Sequence, residues 1–166
     1  MNIEIERKFL VANDDWKLDI KSSCVLRDGL LSSSAENKVR IRIQREEAFI
    51  TIKSKKFNLT RTEYEYPVNL AEAEEMLANL CGKRVCHKTR HQVPCASHIW
   101  SVDVYGGVMD GIVIAEIELS SETEEFVLPT WIGTEVTDQA AFGKWKMLAH
   151  HHAASMNVSQ LEVGRP

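Results

Sequence analysis

The chain is predicted to be mainly β, an α+β protein whose eight antiparallel strands close into a barrel with a few covering helices. Three observations carry this. Short segments alternate apolar with charged residues at a period of two, which is the mark of a strand. Turn-forming residues separate those segments. One stretch only, residues 70 to 80 after the fifth strand, has strong helical spacing.

The first strand is Met-Asn-Ile-Glu-Ile-Glu-Arg-Lys-Phe. Glu4, Glu6 and Lys8 share one parity, and Ile3, Ile5 and Phe9 the other. In a strand this sets the three charges about 7 Å apart along one face. Asn13, Asp14 and Asp15 before Trp16 suit a capped helical turn. Residues 23 to 31 form the second strand, with Gly29 at a bend or a close approach. Residues 37 to 44 form the third, with Val39, Ile41 and Ile43 against Lys38, Arg40 and Arg42. Glu46 and Glu47 suit a hairpin turn into residues 48 to 55, where Ile50 and Ile52 oppose Thr51, Lys53 and Lys55.

Residues 60 to 66 place Arg61, Glu63 and Glu65 opposite Tyr64 and Tyr66, and Pro67 ends the strand. Asn69 is a helix N-cap with Glu72 three residues on, followed by Leu70, Ala73, Leu77 and Leu80 at helical spacing and Gly82 beyond the end. Strands then resume. Residues 84 to 92 carry Lys88 and Arg90. Residues 98 to 105 carry Ser101, Asp103 and Tyr105 opposite Trp100, Val102 and Val104. Residues 111 to 120 carry Glu116 and Glu118 opposite Ala115, Ile117 and Leu119. Trp131 and Gly133 are expected in a loop. Thr137 or Asp138 is expected to cap a last helix bearing Phe142, Trp145 and Leu148, which Gly143 weakens.

At 166 residues the chain suits one domain, residues 1–150, with a frayed tail over 151–166. Hydrophobic residues make up 44% and charged residues 27%, so a folded chain is expected rather than a disordered one. The formal net charge of −4 argues against a general nucleic-acid binder. No apolar run approaches the roughly 20 residues of a membrane span. The N-terminal stretch has charges where a signal peptide has an apolar core, which leads us to expect a cytoplasmic protein. Cys24, Cys81, Cys86 and Cys95 have no zinc-ligand spacing and are expected to be free thiols. His150, His151 and His152 are adjacent and cannot converge on one ion from a helix, so they read as a solvated helix end.

The sign of the charges carries the functional argument. Like-signed neighbours two apart on one strand face repel. Arg40 and Arg42, Lys53 and Lys55, Lys88 and Arg90, Glu63 and Glu65, and Glu116 and Glu118 repeat that costly pattern on successive strands. Basic pairs call for a polyanion, and acidic pairs beside them for a hard divalent cation. A metal chelated by a polyphosphate satisfies both. Periodicity alone leaves two arrangements open. With the charged parity inward, the lumen is a polar tunnel and the apolar rows need cover from helices or from a second copy, which would suit a homodimer. With it outward, the apolar rows make an ordinary barrel core and no metal dependence follows.

The residues then resemble a known family. Glu4-Ile5-Glu6-Arg7-Lys8-Phe9 is similar to the Glu-x-Glu-x-Lys signature of the CYTH domains, the triphosphate tunnel metalloenzymes. The similarity continues through Val39–Arg42, Thr51–Lys53, Arg61–Tyr66, Lys88–Arg90, Val102-Asp103, Ala115–Leu119 and Glu135–Thr137. It implies a closed eight-stranded tunnel with its charges inward, triphosphate substrates and Mg²⁺ or Mn²⁺. Glu6, Glu116 and Glu118 would hold the metal. Arg40, Arg42, Lys53, Lys88 and Arg90 would bind phosphates, with Arg61 in addition. Glu4, Glu63 and Glu65 would hold a second metal or orient the attacking water, and Lys8 would stabilise the transferring phosphoryl group. Leu30 stands where short bacterial relatives often carry Tyr, so the role of that hydroxyl is missing here. Lys144 and Lys146 are the candidates for a tunnel-closing lysine. The expected activity is hydrolysis of inorganic tripolyphosphate. The alternatives are a class IV adenylyl cyclase, a thiamine triphosphatase, or a non-catalytic polyphosphate-binding module.

Overall fold

Each alternating segment pairs with its neighbours in a register that keeps one parity inside. The computed structural model describes Asn2 to Val163, with side chains described as far as Ala154. The elements are β1 (Ile3–Val11), β2 (Ser22–Ser33), β3 (Asn37–Gln44), β4 (Glu47–Ser54), β5 (Thr60–Val68), α1 (Leu70–Leu80), β6 (Val85–Cys95), β7 (His98–Gly106), β8 (Val113–Glu118), β9 (Ile132–Glu135) and α2 (Lys144–Val163). The strands run β5-β4-β3-β2-β6-β7-β8-β1, and β1 pairs again with β5 to close the ring. Eight antiparallel strands therefore form a closed barrel, as the alternation predicts. Closure removes the free edges that an open sheet would present.

β1 is the seam. Residues 3 to 5 pair with β5 and residues 6 to 10 with β8. The ninth strand, β9, pairs with β1 on the edge opposite β8, at Phe9 and Val11, beyond the residues that pair with β5. It falls where a loop was expected, because four residues with no alternating charge leave no readable period. The fraying expected over 151–166 concerns mostly side chains outside the described residues. Thr137 and Asp138 do not cap a helix: a 3₁₀ turn, Ala140–Phe142, comes first, and α2 begins only after Gly143.

The apolar parity faces outward and is covered in two places. Ile41, Ile43 and Ala48 are buried beneath Ala73 and Leu77 of α1. Ile5, Phe9, Val93, Trp100, Val102 and Ala115 pack with Trp16, from a 3₁₀ turn at Asp15–Asp19, and with Trp131. Trp100 meets Phe9, Phe126 and Trp131 edge-on, with ring centroids 5.5–5.8 Å apart. Met147 and Leu148 of α2 pack on Cys86, Tyr105 and Ile114, whose side chains lie on the inward parity at one end of the barrel.

The helix α1 starts where Asn69 caps it: its Oδ1 accepts from Ala71 N at 2.8 Å and Glu72 N at 3.4 Å. Gly82, at φ +55°, takes the left-handed turn just past its end. The helix can sit on the barrel because Gly29 of β2 has no side chain. A Cβ there would lie 2.5 Å from both Cys81 Sγ and Leu77 Cδ2. We expect Gly29→Ala to cost about 1–3 kcal/mol by overpacking, and hence to lower Tm by roughly 2–12 °C for a chain of this size. An unchanged Tm in thermal denaturation would show that α1 does not depend on this contact.

Candidate functional site

The closed register turns every charged strand face into one lumen. Across β1 and β5, Glu4 lies opposite Arg61. Across β1 and β8, Glu6 lies opposite Glu118 and Lys8 opposite Glu116. Lys53 lies opposite Glu63, Thr51 opposite both Arg40 and Glu65, and Arg90 opposite Asp103. The thirteen side chains given catalytic, phosphate-binding or metal-holding roles by the resemblance all line a single cavity of about 800 Å³. Lys55 does not: β4 ends at Ser54 and Lys55 is exposed, while Lys56 reaches the cavity instead.

The lumen holds three linked charge clusters. In the first, Glu4 accepts from Lys53 Nζ at 2.9 and 3.1 Å and pairs with Arg61, which also donates to Glu6 at 2.7 Å. Lys53 bridges on to Glu63 at 2.7 Å. Arg40 donates to the Thr51 hydroxyl at 2.9 Å, which in turn donates to Glu65 at 3.0 Å. In the second cluster, Lys8 pairs with Glu116 and lies 3.3 Å from Glu6. Arg90 makes a two-pronged contact with Asp103, both prongs 2.7 Å, and reaches Glu116 at 2.6 Å. Lys88 pairs with the same Asp103.

The third cluster joins Arg42 and Lys144, both singled out from the sequence, through Asp28, which was not. Asp28, fully buried on β2, accepts from Arg42 at 2.7 and 3.0 Å and from Lys144 at the start of α2. It fixes the C-terminal segment to the barrel wall. Its inward neighbours on β2 are Leu26 and Leu30, both buried. A lone carboxylate between two leucines does not read as a charged face, so the like-sign pattern that found the other residues had nothing to register.

Protonation follows from these partners. Burial opposes the Lys8 ammonium, yet Glu116 and Glu6 outweigh it and hold its pKa above the ordinary lysine value. Burial likewise opposes the Glu116 carboxylate, yet Lys8 and Arg90 hold it well below the usual carboxylate range. Asp28 is held low by Lys144 and Arg42 against the same penalty. Burial pushes Lys144 down to about 7, with Lys88 and Arg40 adding to the effect and Asp28 opposing it. Glu118 differs from the rest. Burial and the nearby carboxylates of Glu4 and Glu6 raise its pKa, and it makes no ion pair among the described residues.

Among the described residues no three acidic, thiol or imidazole side chains converge as a ready metal cage. The donor chemistry nevertheless suits a hard divalent cation. Glu6 and Glu118 are direct cross-strand neighbours, Glu116 is next on the same face, and the repulsion felt by Glu118 is what a cation would relieve. The anion side is clearer. The Nε of buried Arg40 has no hydrogen-bond acceptor among the described residues. Among the described residues eleven Lys and Arg side chains line the cavity against seven Asp and Glu, although the whole chain has 20 against 24. Even with Asp28 and Asp103 buried behind that surface, cations remain in excess, so the lumen reverses the sign of the protein and attracts an anion.

Comparison with known proteins agrees with this geometry. The family model of the CYTH domain matches residues 2–144. An inorganic triphosphatase of Acetivibrio thermocellus is 38% identical over 137 residues, which cover 82% of this chain and 87% of that protein. An inorganic triphosphatase of Nitrosomonas europaea is 35% identical over 151 residues, 88% of this chain and 96% of that one. The crystal structure of the inorganic triphosphatase NE1496 superposes with a TM-score of 0.64 at 29% identity, covering 87% of this chain and 93% of the other.

Proposed function

The chain belongs to the CYTH domain family, and on that premise we propose that it is a metal-dependent hydrolase that cleaves inorganic tripolyphosphate to pyrophosphate and phosphate. The observation that carries the reading is the excess of inward cations around a row of carboxylates in one closed lumen. The activities of the two similar triphosphatases support the choice of substrate.

Glu6, Glu116 and Glu118 would hold Mg²⁺ or Mn²⁺, which when bound neutralises charge on the phosphate oxygens. Arg40, Arg42, Lys53, Arg61, Lys88 and Arg90 grip those oxygens and fix the phosphate chain along the tunnel. Arg40 Nε finds in the substrate the acceptor it otherwise lacks. The Glu4, Glu63 and Glu65 set takes the proton from a water that attacks the terminal phosphorus in line. The new bond forms from water oxygen to phosphorus as the bond to the bridging oxygen breaks, and pyrophosphate leaves. Lys8 neutralises charge on the transferring group. Positioning and electrostatic stabilisation supply the rate, with no covalent intermediate on the protein.

The four free cysteines support a reducing, cytoplasmic setting. Among the described residues no helix is long and apolar enough to cross a membrane. The outer face of β4 and β5 leaves Ile52, Tyr64 and Tyr66 exposed without charges between them, which supports a homodimer. The test of the function is phosphate release from tripolyphosphate, thiamine triphosphate and ATP, each with and without Mg²⁺ or Mn²⁺, with products identified. We expect tripolyphosphate to be turned over only with metal, giving pyrophosphate and phosphate in equal amounts. Cyclic AMP from ATP, or binding of tripolyphosphate without turnover, would reverse the reading.

A further inference from the structure

A second cavity of about 840 Å³ lies beside the lumen, between the barrel wall and the C-terminal segment. Its size is within the roughly 300–1,000 Å³ of small-molecule sites. Leu10, Ile112, Trp16, Phe142 and Met147 make its walls mostly apolar. They come from separate elements: the end of β1, the approach to β8, the first 3₁₀ turn, the last 3₁₀ turn and α2.

The charges at its rim do not cancel. Among the described residues Asp14 is the one acid in the lining, and it is paired with Lys17 at 2.8 Å. Lys146 also lines the cavity and has no ion-pair partner among the described residues. His150 and His151 stand on the same side and carry no negative charge. An apolar chamber with one uncompensated ammonium selects a ligand with an apolar body and an anionic group.

We propose that this cavity is a binding site for a small organic anion with an aromatic body, which packs on the apolar walls while its anionic group pairs with Lys146. Phe142 and Lys146 line both this cavity and the lumen. The occupant therefore touches the segment that carries Lys144 to Asp28, and the site is placed to report on, or act on, the lumen without entering it.

The test titrates the full chain with 1-anilinonaphthalene-8-sulfonate, an aromatic body bearing one sulfonate, and follows its fluorescence. We expect one saturable site. N-phenyl-1-naphthylamine, the same body without the sulfonate, should bind at least about tenfold more weakly, a difference of about 1.4 kcal/mol. Ala141→Trp and Ala12→Trp each add bulk at an exposed wall position. Each should weaken the sulfonate by at least about tenfold and leave tripolyphosphate hydrolysis unchanged. Absence of saturable binding, equal affinity for the two dyes, or binding that survives both substitutions would overturn the proposal. In the last case the dye sits on another exposed apolar surface. Loss of hydrolysis in the wild-type chain would bear on the lumen and not on this site.

Discussion

Arg40→Ala should lower kcat/KM for tripolyphosphate by roughly 30- to 1,000-fold while leaving the barrel folded. The range is what removal of one aligned donor to developing charge costs, about 2–4 kcal/mol, with each 1.36 kcal/mol a factor of ten. Arg40 is the cation for which the argument is strongest. It is buried, its Nε lacks an acceptor, and its nearest carboxylates, Glu65 at 3.6 Å and Glu63 at 3.8 Å, stand off at the edge of ion-pair range. Burial is the largest influence on its pKa and lowers it, so the folded chain holds this guanidinium at a cost that a bound polyanion relieves. Arg40→Lys would keep the charge but lose the planar fork, and is expected to fall between wild type and Arg40→Ala. Steady-state kinetics with circular dichroism on the same samples checks both. Wild-type kinetics in Arg40→Ala would remove the lumen from the reaction.

Asp103→Ala should destabilise the fold by about 3–5 kcal/mol, the cost of leaving a buried charge without its partner. Asp103 is fully buried and holds both Lys88 and Arg90. Lys88 is buried as well, and burial already pulls its pKa down against the opposing pull of Asp103. Without that carboxylate the ammonium has lost its counter-charge. For a chain of this length the loss corresponds to a Tm lower by roughly 6–20 °C. Removing the orphaned charge too, as in Lys88→Met with Asp103→Leu, should restore part of it, because an apolar pair of similar volume often replaces a buried ion pair at little cost. The sign of the pH dependence follows. Against the penalty of burial, Lys88 and Arg90 hold Asp103 below its unfolded pKa. Its contribution is therefore complete above that unfolded value and is lost as pH falls through the folded one. Asp103→Ala should accordingly flatten the acid limb of a stability–pH curve. Thermal denaturation between neutral and acid pH checks this, and a variant with an unshifted Tm and an intact acid limb would contradict it.

Most of the lumen was legible because a strand has a period of two and cross-strand pairing keeps one parity on one face all round a closed barrel. Once Glu4, Glu6 and Lys8 share a face, pairing with β5 and β8 carries that parity around the ring to Arg40, Lys53, Arg90 and Glu118. The direction of that face was not legible from alternation. Cover decides it: α1 packs on Ile41 and Ile43, and the tryptophans pack on Phe9 and Val102, so the apolar rows are outside. Gly29 was readable as a close approach but not as the seat of Leu77 and Cys81, since that contact joins segments about 50 residues apart. Asp28 and Lys144 were the hardest. Asp28 is a single inward charge between Leu26 and Leu30, the partner of Lys144 has no sequence signal, and only the folding of α2 onto the barrel end brings the two together.

The central claim is that the inward charges form one site for a metal-bound triphosphate, and a crystal soaked with Mn²⁺ and tripolyphosphate tests it most directly. Anomalous scattering should place Mn²⁺ within bonding distance of carboxylate oxygens of Glu6, Glu116 and Glu118, with the phosphate chain in the lumen and an oxygen on Arg40 Nε. Manganese on the outer surface, with the lumen free of phosphate, would contradict the account.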